Sequence, residues 1–151
     1  MFSEEQKVKI LATKQAIIDH VVGMSAQPWM VEMRGVDWSK VYLTGGAIAS
    51  LLQGEQPKDW DFYCEDYATM DAIRDGLMRH KDLVKDVDEK YKEVVGQDGK
   101  MITSQAITMN DGSSFITMIT LDPKNLKKTF DYVHCMPHYN LTTKTLYISP
   151  R

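Results

Sequence analysis

Asp59 and Asp61, in the stretch KDWDFY, are the residues of this 151-residue chain with the most direct chemical reading. On an extended segment alternate residues face the same side. Asp59 and Asp61 then project together, while Trp60 and Phe62 turn the other way, toward a core. Two carboxylates about 4 Å apart repel by a few kcal/mol at an effective dielectric of about 20. Either one of them takes up a proton or a cation lies between them. Hard oxygen donors on a rigid strand suit Mg²⁺ (or Mn²⁺), which needs few protein ligands when substrate phosphates supply the rest.

A second group lies a dozen or so residues upstream. Gly45-Gly46 in LTGGAIASLL sit between a short apolar run and a helical pattern. Without side chains the backbone can approach a ligand closely. The exposed N–H groups and the positive end of the helix favour phosphate. A triphosphate cradle followed by a carboxylate pair specifies phosphoryl or nucleotidyl transfer with metal-ion catalysis. Ser50 and Lys58 are the neighbouring candidates for phosphate contact, the alternative being a surface helix serine and a solvated lysine. Separately, a Gly-Gly is an ordinary tight turn and a D-x-D is an ordinary solvated pair. Their order, strand, GG, helix, loop, D-x-D strand, is what restricts the reading.

The elements that must position these groups follow from periodicity and turn residues. Ser3 and Gln6 form a capping-box pattern, and Val8, Leu11, Ile18 and Val22 give a helical stripe up to about residues 20–23. Residues 24–39 read as an irregular connection or a short second helix. A strand is expected over 41–44, a helix over 47–53 closed by Gly54, a strand over 59–64 and a helix over 67–80. Asp98-Gly99 and Asp111-Gly112 are hairpin-turn dipeptides. They separate expected strands at about 91–95, 101–109 and 114–120, with further strands at 130–135 and 145–149 and a short helix in DPKNLKK. The result is an α+β domain, a mixed sheet packed by a few helices.

Length and composition bound the rest. One domain over residues 1–151 is expected, with a formal charge of −3 that excludes a global basic field for nucleic acid. No apolar run is long enough to span a membrane and no signal peptide is evident, so a cytoplasmic protein is expected. The two cysteines, Cys64 and Cys135, read as buried thiols rather than a disulfide. His134-Cys135-x-x-His138 lacks the paired ligands of a zinc motif and reads as core or near-site histidines. Lys124, Lys127 and Lys128 read as a solvated helix face, or as a weak contact to a triphosphate or polynucleotide.

The run GGAIASLLQGEQPKDWDFY resembles the signature of the DNA polymerase β-like nucleotidyltransferase superfamily. It is most similar to the head domain of tRNA nucleotidyltransferases and bacterial poly(A) polymerases, over about residues 41–64. The resemblance implies that Asp59 and Asp61 hold two divalent metals and that Gly45 and Gly46 contact the phosphates of a nucleoside triphosphate such as ATP. It also implies a third carboxylate on a later strand, for which Asp131 in TFDYVHC is the choice. That FDY run resembles a strand in small viral nucleotidyltransferase-like proteins; with the compact size, the resemblance implies a phage or mobile-element origin and a host-directed toxin or antagonist in the host cytoplasm. The chain departs from the tRNA enzymes in having Ala49-Ser50 where they have Arg-Asp, which argues against CCA addition. Transfer of a nucleoside monophosphate to an acceptor hydroxyl is therefore expected, on RNA, another nucleic acid, a protein or a small molecule. The alternatives are a degenerate fold that binds a nucleotide or a host protein without turnover, and a plain interaction domain.

Overall fold

The computed structural model describes residues 2–95, 101–120 and 137–148. Helix α1 (Glu4–Ser25) begins with the expected capping box: Gln6 N–H donates to Ser3 Oγ and Ser3 N–H to Gln6 Oε1. It runs a little past the expected end, and its apolar stripe does not face the core. Val8, Leu11 and Val22 are exposed, while Thr13, Ile17 and Met24 are buried. A five-residue helix α2 (Pro28–Glu32) follows, with Pro28 at its first position, where a missing N–H costs nothing.

Strand β1 (Val41–Leu43), helix α3 (Gly45–Leu52), strand β2 (Trp60–Cys64) and helix α4 (Tyr67–Met78) come next. Strands β3 (Val84–Val95), β4 (Met101–Met109), β5 (Ser113–Thr120), β6 (His138–Asn140) and β7 (Leu146–Tyr147) complete the described elements. The chain is thus α+β, and the described residues form a seven-stranded mixed sheet in the order β3-β4-β5-β2-β1-β6-β7. Every described neighbouring pair is antiparallel except β2 and β5, which are parallel.

The differences from expectation have local causes. Helix α3 starts at Gly45 rather than Ala47, because both glycines adopt helical backbone instead of forming a separate turn. Strand β2 starts at Trp60, so Asp59 stands just ahead of it. Strand β3 is far longer than the expected 91–95, since pairing with β4 carries it through a charged stretch with register shifts. Strand β6 was not expected; it is three residues long and exists through pairing with β1. Asp111-Gly112 does close a hairpin, with Gly112 at φ +88°, and Gly54 at φ +78° does follow the end of α3. The expected turn at Asp98-Gly99, the helix in DPKNLKK and the strand at 130–135 lie outside the described residues.

The core gathers Ile17 and Met24 of α1, Trp29 of α2, Ile48 of α3, and Ile73 and Leu77 of α4 against Leu43, Phe62, Ile107 and Phe115 of the sheet. Register aligns the apolar faces: Leu43 lies opposite Phe62, and Phe62 opposite Phe115. The Phe62 and Phe115 rings stack with centroids 5.2 Å apart. Among the described residues no helix is long and apolar enough to cross a membrane.

Candidate active site

The carboxylate pair is set by the alternation of β2. Trp60, Phe62 and Cys64 are buried, whereas Asp61 and Tyr63 are only half-buried and Asp59 is exposed. Burial raises the Cys64 thiol to about 12, with nearby Asp66 contributing, which fits a packing role.

Strand β1 runs antiparallel to β2, so the end of β1 and the start of α3 meet the D-x-D segment. The junction is fixed by Thr44. Its N–H donates to the Asp61 backbone carbonyl at 3.0 Å, and its Oγ1 donates to the same oxygen at 3.1 Å. Thr44 is also the N-cap of α3, a position where a threonine hydroxyl normally accepts an N–H of the first turn. Here the hydroxyl makes no such cap bond. The first turn therefore keeps N–H donors for a ligand, at the end of the helix where the dipole favours an anion. A Cβ built on Gly46 would meet nothing within 4 Å, so the glycine leaves open space at this end.

A solvent-open cleft of about 290 Å³ is lined by Gly46, Ser50, Glu55, Gln56, Pro57, Lys58, Asp59 and Asp61. Five of the residues singled out in the sequence are thus brought together: Gly46, Ser50, Lys58, Asp59 and Asp61. Gly45 precedes Gly46 in the same helical turn. Asp131, Lys124, Lys127, Lys128, His134 and Cys135 lie outside the described residues. His138 lies on β6, its ring 5.1 Å from that of Tyr147 and 5.7 Å from that of Tyr42. Sequence reasoning passed over Glu55 and Gln56, which the loop carries into the cleft, and Thr44, whose reassigned hydroxyl leaves no local signal.

Three carboxylates and one lysine line the cleft, a formal charge of −2 (Glu55, Asp59 and Asp61 against Lys58). A bare triphosphate would be repelled, and a cation-bound one would not. The donors are hard oxygens of the kind Mg²⁺ prefers. Among the described residues no three Asp, Glu, His or Cys side chains group as a metal centre.

Behind the pair, Trp60 is held by residues distant in sequence. The His20 imidazole stacks on the Trp60 indole with centroids 4.1 Å apart and planes 8° from parallel. Ser113 Oγ donates to Asp111 Oδ2 at 3.0 Å, which leaves its oxygen to accept from His20 Nε2–H at 2.9 Å. Asp111 bonds the serine and not the histidine, and Ser113 is fully buried, so this chain is not a nucleophile with its base. Burial holds the His20 imidazole below its usual pKa, with Asp111 opposing in part.

No curated protein and no solved structure matches the chain. One family model does: that described as Gad2, Gabija anti-defense 2 family protein, over residues 5–151.

Proposed function

The chain belongs to the Gabija anti-defense 2 family, and on that premise we propose that it is a metal-dependent nucleotidyltransferase with the polymerase β-like fold, acting in a host cell against the defence its family is named for. The observation that carries the reading is the convergence of Gly46, Ser50, Lys58, Asp59 and Asp61 on one cleft at an uncapped helix start.

In this reading the first-turn N–H groups of α3 and Lys58 bind the phosphates of a nucleoside triphosphate, and Ser50 adds a hydroxyl contact. Asp59 and Asp61 would hold divalent cations, with Asp131 as the third carboxylate that the superfamily resemblance implies. When bound, such cations would activate an acceptor hydroxyl and neutralise the leaving pyrophosphate. Thr44 holds the phosphate-binding turn in register with Asp61, so that nucleotide and carboxylates are fixed relative to one another. The acceptor is an RNA 3′ end, another nucleic acid, a protein side chain or a small alcohol.

The test is incubation with labelled triphosphates, one base at a time, against RNA, DNA and protein. Mg²⁺-dependent label on one acceptor class is expected, abolished in Asp61→Asn with the fold retained. A second reading, a binding module without turnover, is favoured by Ala49-Ser50, which stand where the tRNA enzymes have Arg-Asp. It predicts that Mg²⁺ and nucleotide raise the melting temperature while no acceptor is labelled. If neither label nor melting shift occurs, both readings fail.

A further inference from the structure

Helix α1 carries apolar side chains on two opposite faces. Thr13, Ile17 and Met24 are buried against the domain, yet Val8, Leu11 and Val22 are 66%, 68% and 65% exposed. With 3.6 residues per turn, positions 8, 11, 15, 18 and 22 fall within an arc of about 80°, on the side opposite the buried residues. Their alternating spacing of three and four is that of a coiled-coil seam.

We infer that this stripe is a homodimer interface, a parallel two-helix seam formed by α1 of two copies of the chain. The seam order is Val8, Leu11, Gln15, Ile18, Val22. β-Branched Val8 and Val22 occupy one heptad position and Leu11 the other, the pairing that suits two parallel strands; Ile18, half-buried in the single chain, shares the position of Leu11, and the single polar residue at the centre, Gln15, fixes register and strand number. The flanking charges choose the partner and its direction. In a parallel pair Lys14 of one copy faces the partner's Asp19, and the reverse, giving two symmetric ion pairs. An antiparallel pair would set Lys14 against Val21 and Asp19 against Ala12, with no ion pair. Gln15 Nε2 donates to Asp19 Oδ1 at 2.9 Å, which draws the Asp19 carboxylate toward the seam. A membrane surface fits the stripe less well. The charged residues of α1 are balanced, Glu4, Glu5 and Asp19 against Lys7, Lys9 and Lys14, whereas interfacial helices are rich in basic residues.

The inference is independent of what the cleft transfers. It is tested by sedimentation velocity on the full chain over a hundredfold dilution series, with flotation on phosphatidylglycerol vesicles as a parallel arm. The wild type should be dimeric at the concentrated end. Leu11→Asp should be monomeric throughout and should melt like the wild type at the dilute end of the series, because Leu11 is exposed in the single chain. Lys14→Asp and Asp19→Lys should each weaken the dimer by about tenfold, and the double exchange should restore it. A wild-type monomer at every concentration, a dimer that survives Leu11→Asp, single exchanges without effect, a double exchange that fails to restore, or a monomer that floats with vesicles would each overturn it.

Discussion

Alanine at Gly46 should make the domain slightly more stable and at the same time weaken nucleotide binding at the proposed site. Gly46 lies in the first turn of α3 with ordinary helical backbone, and an added Cβ meets no atom within 4 Å. The substitution therefore brings neither strain nor clash. Alanine is better than glycine by roughly 1 kcal/mol in a helix interior, and less in a first turn. A gain of about 0.5 kcal/mol corresponds to about 1–2 °C in Tm for a domain of this size. Gly46 lines the cleft, however, and in the proposed cradle the phosphates would lie against its backbone, so an added methyl group would crowd them. At a nucleotide concentration about a hundredfold above Kd, binding stabilises the folded state by about 2.7 kcal/mol, or about 5–11 °C. If the methyl group weakens binding about a hundredfold, the remaining shift is about 0.4 kcal/mol, near 1 °C. Differential scanning fluorimetry with and without Mg²⁺ and each triphosphate reads both effects at once. A full nucleotide shift in Gly46→Ala would show that the phosphates do not approach this turn. A large loss of stability without ligand would show that the glycine is structural and refute the cradle.

Thr44→Val should remove the hydroxyl bond to the Asp61 carbonyl but keep the N–H bond, costing about 0.5–1.5 kcal/mol in denaturant unfolding, with Thr44→Ser close to wild type. Asp66→Ala should cost about 1 kcal/mol in the same assay, because Asp66 caps α4 by accepting the Thr69 N–H at 2.9 Å, while its exposed ion pair with Lys40 adds little. Stability should depend on His20 below neutral pH. Its folded pKa is depressed, so the unfolded chain binds more protons, and stability is full above about 6.5 and declines as pH falls toward the folded value. Melts from pH 8 to pH 5 should show this decline, and His20→Gln should flatten it. The Cys64 thiol, raised to about 12 by burial, should resist alkylation in the folded protein at pH 8 and react once denaturant is added.

The part of the site that was legible in the sequence is the part written in local chemistry. The turn glycines mark themselves: Gly54 and Gly112 have the positive φ that their neighbours would resist. The alternation of β2 places Trp60 and Phe62 inward because aspartate and aromatic residues alternate from Asp59 to Phe62. What stayed hidden depends on partners far along the chain. Strand β3 is so charged that only its ladder with β4 makes it a strand. Strand β6 is three residues long and is defined by its pairing with β1. In α1 the apolar stripe that looked like the packing face is turned to solvent. The buried face is led by a threonine, Thr13, so a reading by hydrophobicity alone selects the wrong side.

The same division explains how two adjacent aspartates are held in place. Asp59 stands just ahead of a short strand and Asp61 on it, and like charge on the two works against a rigid arrangement. What opposes it is not in the motif. Trp60, between the two acids, is stacked on His20 from α1. His20 is in turn tied to Ser113 at the start of β5, the strand that pairs with Trp60 in register. On the other side the Asp61 carbonyl takes both donors of Thr44. The D-x-D segment is thus clamped through its backbone and its central ring, while Asp59 and Asp61 line the cleft. Because these clamps act on the Asp61 backbone and the Trp60 ring rather than on a carboxylate, they survive a change of either acid, and replacing Asp59 or Asp61 should change what the cleft binds more than whether the domain folds.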